Sequence, residues 1–215
     1  GAVGMNNRSS EPPNNSSQGG TTRQRDNELR SQGYYIGVDT TTAGVQSTFI
    51  VTTTADTGAG SLRRAMQDAN ANAGLDNITF SIGSGVQSIK LLSPLPYINS
   101  PVIIDGTSQP GYAGKPLIEL DGTNVSDNAL NIFAGNSIVK GLVINRFQYT
   151  AIYILSFGGN VIEGNYIGTN VAGDSGLGNM LNGIYINDSP NNQIGSYTAA
   201  ARNVISGNGW PDIAI

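Results

Sequence analysis

The feature that most constrains the fold is a short apolar motif that returns along the second half of the chain. Pairs of apolar residues separated by one residue begin at Leu130, Ile152, Ile184 and Ile213. Leu130 and Ile152 are 22 residues apart, and the longer intervals that follow contain additional Gly and Asn residues. The strand motif is the same in each repeat, and only the length of the turns differs. This pattern is typical of solenoids, because each repeat contacts only its neighbours.

Further apolar positions return with the same period, so each repeat contains three strands. They define a second face at Val139, Ile162 and Ile194 and a third face at Ile144, Ile167 and Ile205. Asn residues beside the strands favour tight corners and stacked ladders; they are Asn165, Asn187, Asn192, Asn203 and Asn208. The sequence therefore predicts an all-β fold, a right-handed single-stranded parallel β-helix. The earlier runs ITFSI, SIKLL, VIID and IELD fit the same fold.

The front of the chain differs from these repeats. Ser61 is a suitable N-cap for a helix at about 61–72, because apolar residues from Leu62 to Ala69 return at spacings of three and four. Such a helix would cap the first coil. We predict a β-helix over residues 48–215, and an extended polar N-terminal arm over residues 1–47 that docks on a neighbouring subunit.

The composition excludes several classes of function. The chain contains no Cys and no His, which removes disulfides, Ser-His-Asp catalysis and the usual zinc ligands. Its net charge of -4 gives no basic surface for nucleic acid. No run approaches the roughly 20 apolar residues that a membrane helix needs. We therefore expect no cofactor, no metal, no nucleic-acid partner and no membrane span.

Carboxylates near the strands are the candidates for a catalytic site. Asp105 and Asp121 occupy the matching phrases IIDG and ELDG, and Glu119, Glu163 and Lys140 occur in comparable places. Two carboxylates on one strand face can act as general acid and general base, as in polysaccharide lyases and hydrolases. Asp-Gly after a strand is also a common turn. The sequence leaves both interpretations open.

The longest insertion, NVAGDSGLGN, offers oxygen atoms for a calcium ion. The candidate ligands are Asn170, Asp174 and Asn179. Calcium sites use several oxygen ligands, usually including more than one carboxylate. A single carboxylate is weak support, so we expect no metal here.

An aromatic column is predicted on the outer face of the first apolar set. Tyr153 and Tyr185 lie in the middle of successive Ile-x-Ile strands, with Asn131 in the preceding coil. Residues in the middle position point away from the core. The column could hold sugar rings or a neighbouring subunit, or it could simply support pairing between coils.

Several phrases resemble a known family. They are GAGSLRRAMQDANANAG (58–74), VIIDGTSQPGY (102–112), NYIGTNVAG (165–173) and RNVISGN (202–208). They are similar to right-handed β-helix modules of large bacterial secreted and surface proteins, whose helical cap carries a Cys-Ser-Leu-Arg-Glu-Ala motif. Here Gly60 stands in place of the Cys and Arg64 in place of the Glu. The resemblance implies the fold, an extracellular location and adhesive, structural or carbohydrate-associated roles.

The segment 212–215 falls where a new coil should begin, so either further residues or a partner complete it. We expect a structural subunit of an extracellular filament, in which copies of the chain stack head to tail. The alternative is a carbohydrate-binding, carbohydrate-active or adhesive β-helix module of a larger protein. The expected assembly interface is Tyr34, Tyr35, Ile36, Phe49, Ile50, Val51, Trp210, Ile213 and Ile215.

Overall fold

A computed structural model of the chain describes residues 44–215. The predicted arm residues Tyr34, Tyr35 and Ile36 therefore lie outside the described residues. Within the described range the chain is built mostly from short strands, with one α-helix of 10 residues and two 3-10 turns at Gly106–Ser108 and Ala199–Ala201. All strand pairings between named strands are parallel, which confirms the predicted all-β parallel architecture.

The strands form three sheets, and we number them along the chain. The first sheet contains β1 (Thr48–Val51), β2 (Asp76–Phe80), β4 (Val102–Asp105), β7 (Ile138–Lys140), β10 (Val161–Glu163) and β13 (Gln193–Ile194). The second contains β3 (Gln87–Lys90), β5 (Ile118–Asp121), β8 (Leu142–Asn145), β11 (Tyr166–Ile167) and β14 (Val204–Ile205). The third contains β6 (Leu130–Ile132), β9 (Ile152–Leu155), β12 (Ile184–Asn187) and β15 (Ile213–Ala214).

From β4 onward, the chain visits the first, second and third sheets in strict rotation. We call each passage a repeat: β4 to β6, β7 to β9, β10 to β12 and β13 to β15. An earlier repeat contains β2, β3 and Ile98, which bridges to Ile132 of the third sheet. Each strand therefore pairs only with the strands one repeat before and one repeat after it.

The register confirms the three apolar faces predicted from the sequence. Leu130 pairs with Ile152, and Ile152 pairs with Ile184 in the third sheet. The predicted second and third faces correspond to the first and second sheets, where the residues also pair in register: Val139 with Ile162 and Ile194, and Ile144 with Ile167 and Ile205. These residues face inward and are mostly fully buried. Burying one such side chain stabilises the fold by about 1.5–3 kcal/mol.

The single helix, α1 (Leu62–Ala71), precedes the regular repeats. Ser61 is its N-cap, and its hydroxyl oxygen accepts a hydrogen bond from the Arg64 N–H at 3.2 Å. The buried face of the helix belongs to the same hydrophobic core as the strands. The residues of that face are Leu62, Ala65, Met66 and Ala69.

Candidate functional site

The four candidate carboxylates do not form one cluster. The structure divides them into two pairs on different sheets, each beside a basic side chain. In the first sheet, Asp105, Lys140 and Glu163 are register neighbours on three successive strands. The Lys140 Nζ lies 3.2 Å from Asp105 Oδ2, and both side chains are partly exposed. This first cluster therefore couples neighbouring repeats through an ion pair.

The second cluster lies on the outer face of the second sheet. Arg146 spans both carboxylates, with its Nη2 3.0 Å from Glu119 Oε1 and its Nε 3.0 Å from Asp121 Oδ1. Asn145 is fully buried and donates from Nδ2 to Glu119 Oε1 at 2.9 Å. Arg146 has a positive φ of 62°, an uncommon conformation for a residue with a side chain. That conformation occurs at the residue whose side chain contacts both acids.

The two Asp residues also form the turns that their Asp-Gly phrases indicated. Asp105 Oδ1 accepts hydrogen bonds from the N–H and hydroxyl of Thr107 at 2.9 and 2.5 Å. Asp121 Oδ1 accepts from the N–H and hydroxyl of Thr123 at 3.0 and 2.6 Å. The turn interpretation is thus confirmed for both positions. Each carboxylate serves a turn and an ion pair at once.

The electrostatics of the second cluster favour fixed charges. Burial pushes the pKa of Asp121 upward, but hydrogen bonds from Arg146 and Thr123 outweigh it and hold that pKa below its ordinary value. Burial lowers the pKa of Arg146, and the hydrogen bond and charge of Asp121, with Glu119, raise it above its ordinary value. A general acid needs a raised carboxyl pKa. Asp121 therefore suits a permanent ion pair and does not suit proton donation.

A phenol accompanies the first cluster. Burial raises the pKa of Tyr112, and the negative charge of Asp105 raises it further. The neighbouring Lys140 opposes this effect only in part. Tyr112 thus keeps its proton at neutral pH, so it can donate a hydrogen bond but cannot act as a phenolate base.

Each repeat has three corners, where the chain passes from one sheet to the next. Asparagine side chains link neighbouring repeats at all three. At the corner between the first and second sheets, Asn165 Oδ1 accepts from the Leu142 N–H at 3.0 Å, and the Asn165 N–H donates to Asn203 Oδ1 at 2.9 Å. The other corners repeat this pattern with Ser137, Asn160 and Asn192, and with Phe147, Asn179 and Asn208. We call these three series the corner ladders. They confirm the predicted stacking of Asn residues.

Two Asn residues have roles that differ from those predicted from the sequence. Asn187 is the last residue of β12 and not a corner residue, and its Nδ2 donates to Tyr153 Oη at 3.3 Å. Asn179 is buried and bonds to the Phe147 N–H within its corner ladder. It is therefore not available as a calcium ligand.

The remaining calcium candidates are engaged within their own loop. Asn170 Oδ1 accepts hydrogen bonds from the backbone N–H groups of Gly173, Asp174 and Ser175. Asp174 Oδ1 accepts from Asn170 Nδ2 at 2.9 Å. Among residues 44–215, no group of three His, Cys, Asp or Glu side chains is placed to hold a metal ion.

An aromatic row crosses four repeats on the outer face of the third sheet. Tyr153 and Tyr185 stack with their ring centroids 5.4 Å apart and an interplanar angle of 24°. Phe133 contacts Tyr153 at 6.3 Å and 83°, and it contacts Tyr97 at 4.9 Å and 60°. The sequence indicated the Tyr pair but missed the other two rings. Their signal was the aromatic residue directly beside a repeating Ile, in Tyr97-Ile98 and Ile132-Phe133.

The predicted interface residues differ in their accessibility. Val51 is 0% exposed and packs in the core of this chain, and Phe49 is partly buried against the same core. Ile50 on β1 is exposed. On the last described repeat, Trp210, Ile213 and Ile215 are 63%, 43% and 95% exposed. Within residues 44–215, apolar side chains are thus exposed on β1 and on the last described repeat.

Comparisons with known proteins return no assignment. No protein-family model matches the chain, and no curated protein matches its sequence. None of the described helices is long and apolar enough to cross a membrane.

Proposed function

We propose that the protein is a structural subunit of an extracellular filament, built on a right-handed single-stranded parallel β-helix. The strict rotation among three parallel sheets supports this fold, because each repeat then forms one coil. Parallel crossovers in one sheet are right-handed in about 98% of cases. The helix α1, whose apolar face joins the core, serves as the cap of the first coil.

The observation that carries the proposal is the direction of the corner ladders. In every ladder, a backbone N–H of one repeat donates to an Asn Oδ1 of the following repeat. On the last described repeat, the equivalent donors are the N–H groups of Asn192, Asn203 and Asn208, which have no acceptor within residues 44–215. A following coil, from the same polypeptide or from a neighbouring copy, would satisfy all three donors. In the filament that we propose, a neighbouring copy supplies that coil.

Among residues 44–215, the third sheet ends at β15 in the same repeat. The N–H groups of Leu130, Ile152 and Ile184 each donate to a carbonyl of the next repeat. The N–H of Ile213 is the next donor in this series, and its side chain adds exposed apolar surface. An open strand edge with apolar side chains favours pairing with another chain.

The front of the subunit provides the complementary part of the proposal. Among the described strands β1 pairs only with β2, and Ile50 on β1 is exposed. The arm at 1–47 contributes to the contact with the neighbour, and this part rests on the sequence. The similarity to secreted bacterial β-helix modules supports the extracellular location.

A carbohydrate-active enzyme is the alternative, and the carboxylates disfavour it. Catalysis by two carboxylates needs one protonated acid and one free base. Glu119 and Asp121 both accept hydrogen bonds from Arg146, and the pKa of Asp121 is lowered. We therefore propose a role in assembly and not in turnover.

Electron microscopy and sedimentation velocity of the purified chain test the assembly. We expect fibres from the parent chain and dispersed particles from Ile213→Lys, because a charge would replace the apolar side chain at the open end. Ile213→Leu is the matched control and should assemble like the parent. Far-UV circular dichroism should show that all three chains are folded.

Two results would contradict the proposal. One is a parent chain that remains monomeric at high concentration. The other is Ile213→Lys fibres that form at the same rate as those of the parent, since the last repeat would then have no part in the contact.

A further inference from the structure

The aromatic row on the outer face of the third sheet is partly exposed to solvent. Tyr97 and Tyr185 are 46% and 37% exposed at the two ends of the aromatic row. Phe133 is tilted by 60° from Tyr97 and by 83° from Tyr153, so neither neighbouring ring lies flat against it. Ring surface is therefore exposed at the two ends of the row and partly at Phe133, whereas Tyr153 and Tyr185 stack on each other.

Polar groups without charge accompany these rings. Register places Asn187 beside Leu155 on the outer face, whereas Asn131, beside Tyr153, is buried and accepts a hydrogen bond from Asn128 Nδ2 at 2.8 Å. Asn187 donates to the Tyr153 phenol oxygen, which leaves the phenol hydrogen free to donate to a ligand. Rings combined with amide and hydroxyl groups suit a ligand that has both apolar faces and hydroxyl edges.

The outward strand positions of this face carry no charge, which selects among polymers, and Asp188, directly after β12, lies in a pocket with Tyr185 and Asn187. The outward residues of the described third-sheet strands are Asn131, Tyr153, Leu155, Tyr185, Asn187 and Ala214. None of these is ionisable near neutral pH. Binding of nucleic acid or of an acidic polysaccharide relies on basic side chains, which these positions lack. A neutral chain of sugar rings matches this face best.

We propose that the outer face of the third sheet binds a neutral polysaccharide along the aromatic row. Neighbouring strands of a sheet are about 4.8 Å apart, so the four rings span roughly 14 Å. That length accommodates about three or four sugar rings of an extended glycan. The inference does not depend on filament formation, because the row lies on the side of the repeats and not at the open end.

Isothermal titration calorimetry with cello-oligosaccharides and chito-oligosaccharides of two to six rings tests the proposal. We expect affinity to increase with length up to about four rings and then to level off. An oligogalacturonate of equal length should bind at least tenfold more weakly, because its carboxylates would meet no positive charge. The titration is made at a protein concentration at which sedimentation shows the parent chain to be dispersed, so assembly does not affect it.

Single substitutions locate the site. Tyr185→Ala and Phe133→Ala should each weaken binding by roughly threefold to tenfold, the range expected for one aromatic contact. Tyr197→Ala is the matched control, because Tyr197 is 94% exposed and lies between β13 and β14, outside the row. Tyr153→Phe keeps the ring and removes the hydroxyl, so it should weaken binding less than Tyr185→Ala.

The following results would overturn the inference. They are no binding of any neutral oligosaccharide at millimolar concentration, equal binding of oligogalacturonate, or equal weakening by Tyr197→Ala and Tyr185→Ala. Dimerisation through the row, detected as a doubled mass that Tyr185→Ala abolishes, would assign the face to a second copy instead.

Discussion

Asn165 offers the sharpest test of the corner ladders. Its side chain is fully buried, and its Oδ1 accepts from the Leu142 N–H at 3.0 Å. Its Nδ2 donates to the Val139 carbonyl at 2.9 Å. Asn165→Ala would leave the buried Leu142 N–H without its acceptor. An unsatisfied buried group costs about 1–3 kcal/mol, so we expect a loss near the upper end of this range, about 2–3 kcal/mol, in the free energy of unfolding.

The position one repeat later supplies the comparison. Asn203 makes an equivalent bond to the Asn165 N–H at 2.9 Å, but it is only partly buried. Water can replace its side chain, so Asn203→Ala should cost about 1 kcal/mol. Asn124→Ala, in an exposed turn, should change stability by less than about 0.5 kcal/mol.

Urea denaturation followed by circular dichroism measures these differences. Hydrogen exchange adds a local measurement, because the Leu142 amide should lose its protection in Asn165→Ala. Equal costs for Asn165→Ala and Asn203→Ala, or an unchanged exchange rate at Leu142, would refute the argument. The ladder would then accompany the fold without stabilising it.

Three further predictions concern other parts of the described range. Gly158→Ala should lower the free energy of unfolding by at least about 2 kcal/mol, because the added Cβ would overlap the backbone of the next repeat. A Cβ at Gly176 would meet no other atom of residues 44–215, so Gly176→Ala should leave the melting temperature unchanged. Because the pKa of Asp121 is lowered in the folded chain, its ionised carboxylate stabilises the fold at pH values above the ordinary carboxyl pKa. This contribution should be lost as the pH falls below about 4. Arg146→Met should raise the pKa of Asp121, since a hydrogen bond and a positive charge are removed while burial remains, and a carbon-13 NMR titration that shows no rise would disprove this. Ser61→Ala should lower stability by about 1 kcal/mol through loss of the helix N-cap, and an unchanged melting temperature would contradict that role.

The regular repeats could be predicted from the sequence because inward residues must be apolar and must return once per repeat. The three faces that begin at Leu130, Val139 and Ile144 therefore appeared at single-residue accuracy. The repeats before residue 128 were harder to count. Ile98 contributes only an isolated bridge, and a long segment separates β4 from β5, so the period is obscured there.

The outer faces could be predicted only in part, because their partners come from different repeats. Arg146 pairs with Glu119 and Asp121 through a backbone conformation that the sequence does not signal. Asn131 is the residue that pairs with Tyr153, and Phe133 lies two residues after it. The spacing of the repeats alone therefore did not connect Phe133 to Tyr153. Outward contacts depend on side-chain direction as well as on register.

The two proposed surfaces use bonds of different kinds, which allows them to act independently. The proposed assembly would use backbone donors of the last described repeat, such as the Ile213 N–H and the Asn203 N–H, and the internal boundaries already use equivalent bonds. A partner would have to present acceptors at three corners at once, which would make the contact selective. Glycan binding depends on side chains along the outer face, such as Phe133 and Tyr185. Because stacked repeats contact only their neighbours, a ligand on that face should leave the end-to-end contact unchanged.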